Sequence, residues 1–235
     1  MSKQKMSKLR QESLSEVTPM TRNQEIAFEY WDDGSNLVLN GSAGTGKTFI
    51  ALAMALEEVL DPKSPYDRVT IVRSVVPTRD IGFLPGSEEE KIEVYATPYI
   101  QLCSELFNDK NAWMKLKAYG MVEFESTSFA RGHTWDRTII ILDEFQNLTG
   151  HEADTIITRL GNNARLIICG DYFQTDLVRK DDRDGCKAFL HILSKMTGVE
   201  EVTFTWTDIV RSGLVRDYIM TKEQIKRDGE VAIPF

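Results

Sequence analysis

Residues 41–48 read GSAGTGKT and residues 138–144 read TIIILDE. In the first stretch Gly41, Gly46, Lys47 and Thr48 satisfy the spacing G-x-x-x-x-G-K-[ST], with an apolar run before it and an amphipathic one after. Glycines at these places let the backbone curl until its N–H groups face inward, which suits phosphate oxygens. The helix that follows adds its positive end, Lys47 adds a full charge near the β and γ phosphates, and the Thr48 hydroxyl suits Mg2+. A glycine-rich turn without a ligand is the plain alternative, and the strand–loop–helix context argues against it.

The second stretch is an apolar strand ending in two adjacent carboxylates. At the carboxyl end of a parallel strand, such a pair lies where open α/β sheets bind ligands. Asp143 is expected to hold Mg2+, directly or through water, and Glu144 to take a proton from an attacking water. Glu after Asp favours hydrolysis over simple nucleotide binding. Another apolar strand, in LIICGDYFQ (166–174), ends in Gly170, Asp171 and then Gln174. The Gln174 carboxamide can accept from water and donate to a γ-phosphate oxygen; taken alone, it reads as a turn residue.

These residues need a scaffold of alternating strands and helices. Strands are predicted at Leu37–Asn40, Arg68–Val72, Met121–Glu125, Thr138–Leu142, Arg165–Cys169 and Val202–Thr205. Helices are predicted at Asn23–Trp31, Lys47–Leu60, Ser87–Phe107, Ala153–Leu160 and Gly185–Leu193. The alternation argues for an α/β domain, a mostly parallel sheet with helices on both faces. Residues 1–18 are polar and basic without periodicity and read as a disordered arm, leaving residues 19–235 as a single domain. The longest loop runs from Ser74 to Gly86, with two prolines and two glycines, and is the expected ligand-facing one.

Composition narrows the setting. The chain of 235 residues is 42% hydrophobic and 27% charged, as folded soluble domains are. Its longest aliphatic run, Ile139 to Leu142, is far short of a membrane span, and no secretory signal is visible, so a cytoplasmic protein is expected. Cys103, Cys169 and Cys186 have no metal-ligand spacing with His133, His151 or His191 and read as reduced thiols. With a net charge of −8, any contact with nucleic acid must be a local patch.

A wider set of motifs resembles a known family. TRNQ (21–24), GSAGTGKT (41–48), GFLPG (82–86), EEKIEVYATPY (89–99), SFARGHT (128–134), ILDEFQN (141–147), TRLG (158–161), ICGDYFQTDL (168–177) and DIVRSGLV (208–215) are similar to the PhoH-like proteins. These are phosphate-starvation-inducible ATPases also carried by many phages. The resemblance runs from about Thr18 to Met220 and implies a RecA-like P-loop core that hydrolyses ATP with Mg2+. It also implies homo-oligomeric rings, hexamers above other numbers, acting on RNA or DNA. By the family pattern the nucleotide is bound by Gln24, which reads the adenine edge, and by Gly41, Ser42, Ala43, Gly44, Thr45, Gly46, Lys47, Thr48 and Phe49. Gln174 matches the γ-phosphate sensor and Arg211 a finger-like arginine. Departures are Phe145 in place of alanine, Ser74 after Arg73 in place of proline, and His133 in place of arginine. No acidic cluster outside the motifs suggests the nuclease domain that some relatives carry.

Single-stranded RNA or DNA is the expected partner, no membrane is, and Arg73, Arg79 and Arg131 are the candidate phosphate contacts, with Phe83 as a stacking face. For each arginine the alternative is a solvated loop charge or a structural carboxylate pair. The arginine that meets the transferring phosphoryl has two candidates. Arg211 is preferred, because Arg159 in TRLG has the alternative role of capping its own helix. The rival to an ATPase acting on nucleic acid is a nucleotide-controlled binding module with slow hydrolysis that works through protein partners.

Overall fold

The computed structural model describes residues 9–74, 88–127, 132, 134–172, 174–175, 177 and 180–228. Six strands form one sheet in the order β3-β2-β4-β5-β1-β6, and every pairing is parallel. They are β1 (Asn36–Gly41), β2 (Arg68–Arg73), β3 (Val122–Ser126), β4 (Thr138–Asp143), β5 (Arg165–Gly170) and β6 (Val199–Phe204). Every residue of β4 and β5 is buried, as strands covered on both faces must be.

The helices are α1 (Arg22–Asp32), α2 (Lys47–Leu60), α3 (Glu88–Phe107), α4 (Ala112–Ala118), α5 (Gly150–Ile157), α6 (Lys180–Leu193) and α7 (Gly213–Asp228). Alternating strand residues feed two cores. Leu37, Leu39, Ile71, Ile139, Ile141 and Ile167 pack against α1 to α4, while Val38, Val72, Ile140, Leu142, Leu166 and Ile168 pack against α5 and α6. This is the two-faced parallel α/β sheet that the sequence predicts.

Several boundaries differ for identifiable reasons. α5 starts at Gly150, earlier than the predicted Ala153, because Thr149 and Glu152 form a reciprocal capping box. α4 is only seven residues long, too short for its periodicity to stand out. α7 has no predicted counterpart; its Leu214, Val215 and Tyr218 are exposed, so no buried stripe marks it. Residues 9–18, in the stretch expected to be an arm, make contacts with the domain. Leu9 is buried in the first core, Leu14 and Val17 pack against it, and the Ser15 N–H donates to the Leu106 carbonyl at 2.8 Å. Among the described residues no helix is long and apolar enough to cross a membrane.

Candidate functional site

The turn after β1 is built on close backbone approaches. Gly41 has φ +130°, and a Cβ there would lie 1.9 Å from the Phe204 carbonyl oxygen, so no side chain is admissible. Gly46 has φ +81° and opens α2 with no side-chain cap, leaving the first N–H groups of that helix without a side-chain partner. The Lys47 ammonium fills the loop, donating to the carbonyls of Gly41 (2.6 Å) and Ser42 (2.8 Å). Burial pulls its pKa down, against the pull of Cys169, Asp171, Asp143 and Glu144. An anion in the loop offers the ammonium a stronger partner than these neutral carbonyls.

Two elements frame the loop from outside. On α1 the Gln24 side chain is buried; its Nε2 donates to the Thr45 carbonyl (2.9 Å) and its Oε1 accepts from the Met20 N–H (2.8 Å). From the other side the Val210 N–H donates to the Gly44 carbonyl (3.0 Å), which draws Arg211 over the loop. A Cβ on Gly44 would lie 3.1 Å from Arg211 Cγ. Asn23 Nδ2 donates to the buried Asp208 carboxylate at 2.8 Å and so joins the two frames. TRNQ and DIVRSGLV therefore meet around GSAGTGKT.

At the end of β4, Asp143 Oδ1 accepts from the Thr48 hydroxyl (3.1 Å) and Oδ2 from the Tyr99 hydroxyl (2.7 Å). Burial, and then the neighbouring Glu144, push the Asp143 pKa up. Glu144 has φ +55°, a left-handed conformation unusual for a side-chain-bearing residue and common where strain serves a site. Its carboxylate accepts from Gln146 Nε2, and Gln146 Oε1 accepts from the Asp171 N–H (3.0 Å). Gln174 Nε2 in turn donates to Asp171 (2.8 Å). Gln146 thus links the acidic strand end to GDYFQ. Gly170 is required beneath it, since a Cβ there would lie 2.2 Å from Gln146 Oε1. Phe145 is fully buried in the second core.

A cavity of about 680 Å³ joins these groups, lined among others by Gln24, Lys47, Thr48, Asp143, Glu144 and Gln174. Ala43, Gly44, Gly46, Phe49 and Arg211 line it too, while Thr45 is buried behind the loop and bonds to the Ser42 carbonyl. A second cavity of about 570 Å³ shares Gln146, Asp171 and Gln174 with it and is lined also by Gly41 and Ser42. Arg73, expected on a nucleic-acid surface, lines the first cavity beside Tyr99. Arg159 lies elsewhere: its carbonyl accepts from the Trp135 N–H (3.0 Å), ahead of the start of β4 and so at the end of that strand opposite Asp143. Arg79 and Arg131, with Phe83, all of GFLPG and most of SFARGHT, lie outside the described residues.

The donor set fits Mg2+, which is commonly held by one or two carboxylates together with substrate phosphates. Thr48 and Asp143 are in contact beside the loop, and among the described residues no cluster of three or more His, Cys, Asp or Glu competes for a metal. Sequence reasoning did not reach Tyr99, Gln146 or the Asn23–Asp208 pair as site-building residues. Each acts through a partner that the local pattern does not reveal, and the faint signal for Tyr99 was its place after a proline inside a helix.

Comparison with known proteins places this geometry. A family model described as "PhoH-like protein" matches residues 16–223. A PhoH-like protein of Mycobacterium tuberculosis is 32% identical over 214 residues, covering 91% of this chain and 60% of its own. Protein PhoH of Escherichia coli is 35% identical over 209 residues, covering 85% and 57%. The chain therefore spans somewhat under two thirds of these curated relatives. Among solved structures, the large terminase of a thermophilic bacteriophage superposes with a TM-score of 0.50 at 12% identity, covering 88% of this chain and 50% of that one. That likeness concerns the fold, a RecA-like P-loop core.

Proposed function

The chain belongs to the PhoH-like family, and on that premise we propose that it is a Mg2+-dependent ATP hydrolase that couples turnover to single-stranded RNA or DNA. The observation that carries the hydrolytic reading is the convergence of Lys47, Thr48, Asp143 and Glu144 on one cavity. Lys47 and the first turn of α2 bind the β and γ phosphates. Thr48 and Asp143 hold Mg2+, which offsets phosphate charge when bound. Glu144, oriented by Gln146, takes the proton of the attacking water, while Gln174 stands beside Asp171 to sense the γ phosphate. Gln24 is the candidate reader of adenine; its carboxamide still has one N–H to offer.

Nucleic-acid coupling rests on the family motifs, with Arg79 and Arg131 as candidate phosphate contacts. The rival, a nucleotide-controlled binding module with slow hydrolysis, draws on the net charge of −8. Measuring ATP turnover with and without single-stranded RNA and DNA separates the two: stimulation supports the first, indifference the second. Within the first, Glu144→Gln is expected to bind ATP like wild type and to lose about 10²–10⁴ in turnover. A wild-type rate in that variant would remove Glu144 as the base.

A further inference from the structure

We propose that Tyr99 is a positioning residue for the metal-holding carboxylate: its hydroxyl occupies one oxygen of Asp143 and leaves the other facing Thr48. This rests on the proposed nucleotide and Mg2+ site. The ring of Tyr99 is 1% exposed and packs against Phe124, with centroids 5.5 Å apart. Its single hydroxyl proton goes to Asp143 Oδ2 at 2.7 Å, with the Arg73 charge nearby. Asp143 Oδ1 accepts from the Thr48 hydroxyl at 3.1 Å.

The consequence is geometric. Turning the Asp143 carboxylate would strip a buried oxygen of its donor, so the group is held with Oδ1 toward the P-loop. Only that oxygen is then presented toward a cation beside Thr48. Three separate elements meet in this arrangement: β2 through Arg73, α3 through Tyr99 and β4 through Asp143. A tyrosine with a merely structural role would need only its ring, whose packing against Phe124 a phenylalanine could reproduce. The hydroxyl is the part spent on Asp143.

Tyr99→Phe keeps the ring and removes the bond. Mn2+ serves as the probe, titrated onto the ADP-bound full chain and followed by electron paramagnetic resonance; ADP alone is titrated in EDTA. Outer-shell partners of metal ligands are worth about 10–100-fold in metal affinity, and that loss is expected for Mn2+ in Tyr99→Phe, with metal-free ADP bound as in wild type. Unchanged Mn2+ affinity in Tyr99→Phe, or an equal loss for metal-free ADP, overturns the proposal. Wild-type protein that binds neither ADP nor Mn2+ with ADP overturns the proposed function, and this inference with it.

Discussion

Cys103, Cys169 and Cys186 are all buried, and none stands where the proposed chemistry needs a thiol. Burial pushes Cys103 up to about 12 and Cys186 up to about 11 from an ordinary 9.0, and holds Cys169 well above that ordinary value. An unfolded chain therefore releases these protons first as the pH rises. The stability they contribute is fully present below the unfolded thiol pKa and is lost as pH climbs through the folded ones. The urea midpoint is expected to fall progressively above about pH 9, and Cys103→Ala to fall less steeply; equal slopes would discount the thiol. Reduced thiols were legible from the cysteine spacing alone. So was the meeting of Lys47, Thr48, Asp143 and Glu144 at one cavity, because the strand–loop–helix and strand-end patterns that carry them are local. The place of Arg73 beside Tyr99 was not legible, because α3 is an element whose placement the local sequence does not announce.

At the level of elements, the P-loop is held between α1 and the segment leading into α7. Asn23 and Asp208 are the pin. Asp208 is 4% exposed, and its Oδ2 also accepts from the Thr205 N–H at 2.8 Å, so losing Asn23 removes part of its compensation. Asn23→Ala is expected to cost about 1–3 kcal/mol in urea unfolding and to weaken ATP binding, while Asn23→Asp, which sets two carboxylates together, costs more. Unchanged stability and affinity in Asn23→Ala would show that the frame does not depend on this pin. The strands were legible because their apolar runs are bounded by turn residues, β4 and β5 most clearly. α4 and α7 were not: one is too short and the other turns apolar residues to solvent. The capping box that starts α5 was written in Thr149 and Glu152, though periodicity placed the start at Ala153.

For the whole molecule, the two arginine candidates separate by position. Arg211 lines the cavity of its own chain, whereas Arg159 lies by the amino-terminal end of β4, away from that cavity. Were the chain to assemble as a head-to-tail ring, whose interfaces join unlike surfaces, Arg159 would be the candidate to act between subunits. Mixing Arg159→Ala with Glu144→Gln is then expected to restore some ATP turnover, while Arg211→Ala mixed with Glu144→Gln is not. The reverse pattern would return the inter-subunit role to Arg211, against the preference that position now gives. The same sheet also sets an order of assembly. β1 is threaded between β5 and β6, pairing Leu37 with both Ile167 and Glu200, while β2, β3 and β4 are neighbours within a much shorter span. Pairings of high sequence separation close late. The phosphate loop follows one of the earliest strands to be made, yet its first glycine rests on Phe204 in the last strand. A chain emerging from the ribosome therefore carries the whole P-loop sequence long before it has a P-loop, and nucleotide binding marks the completion of folding.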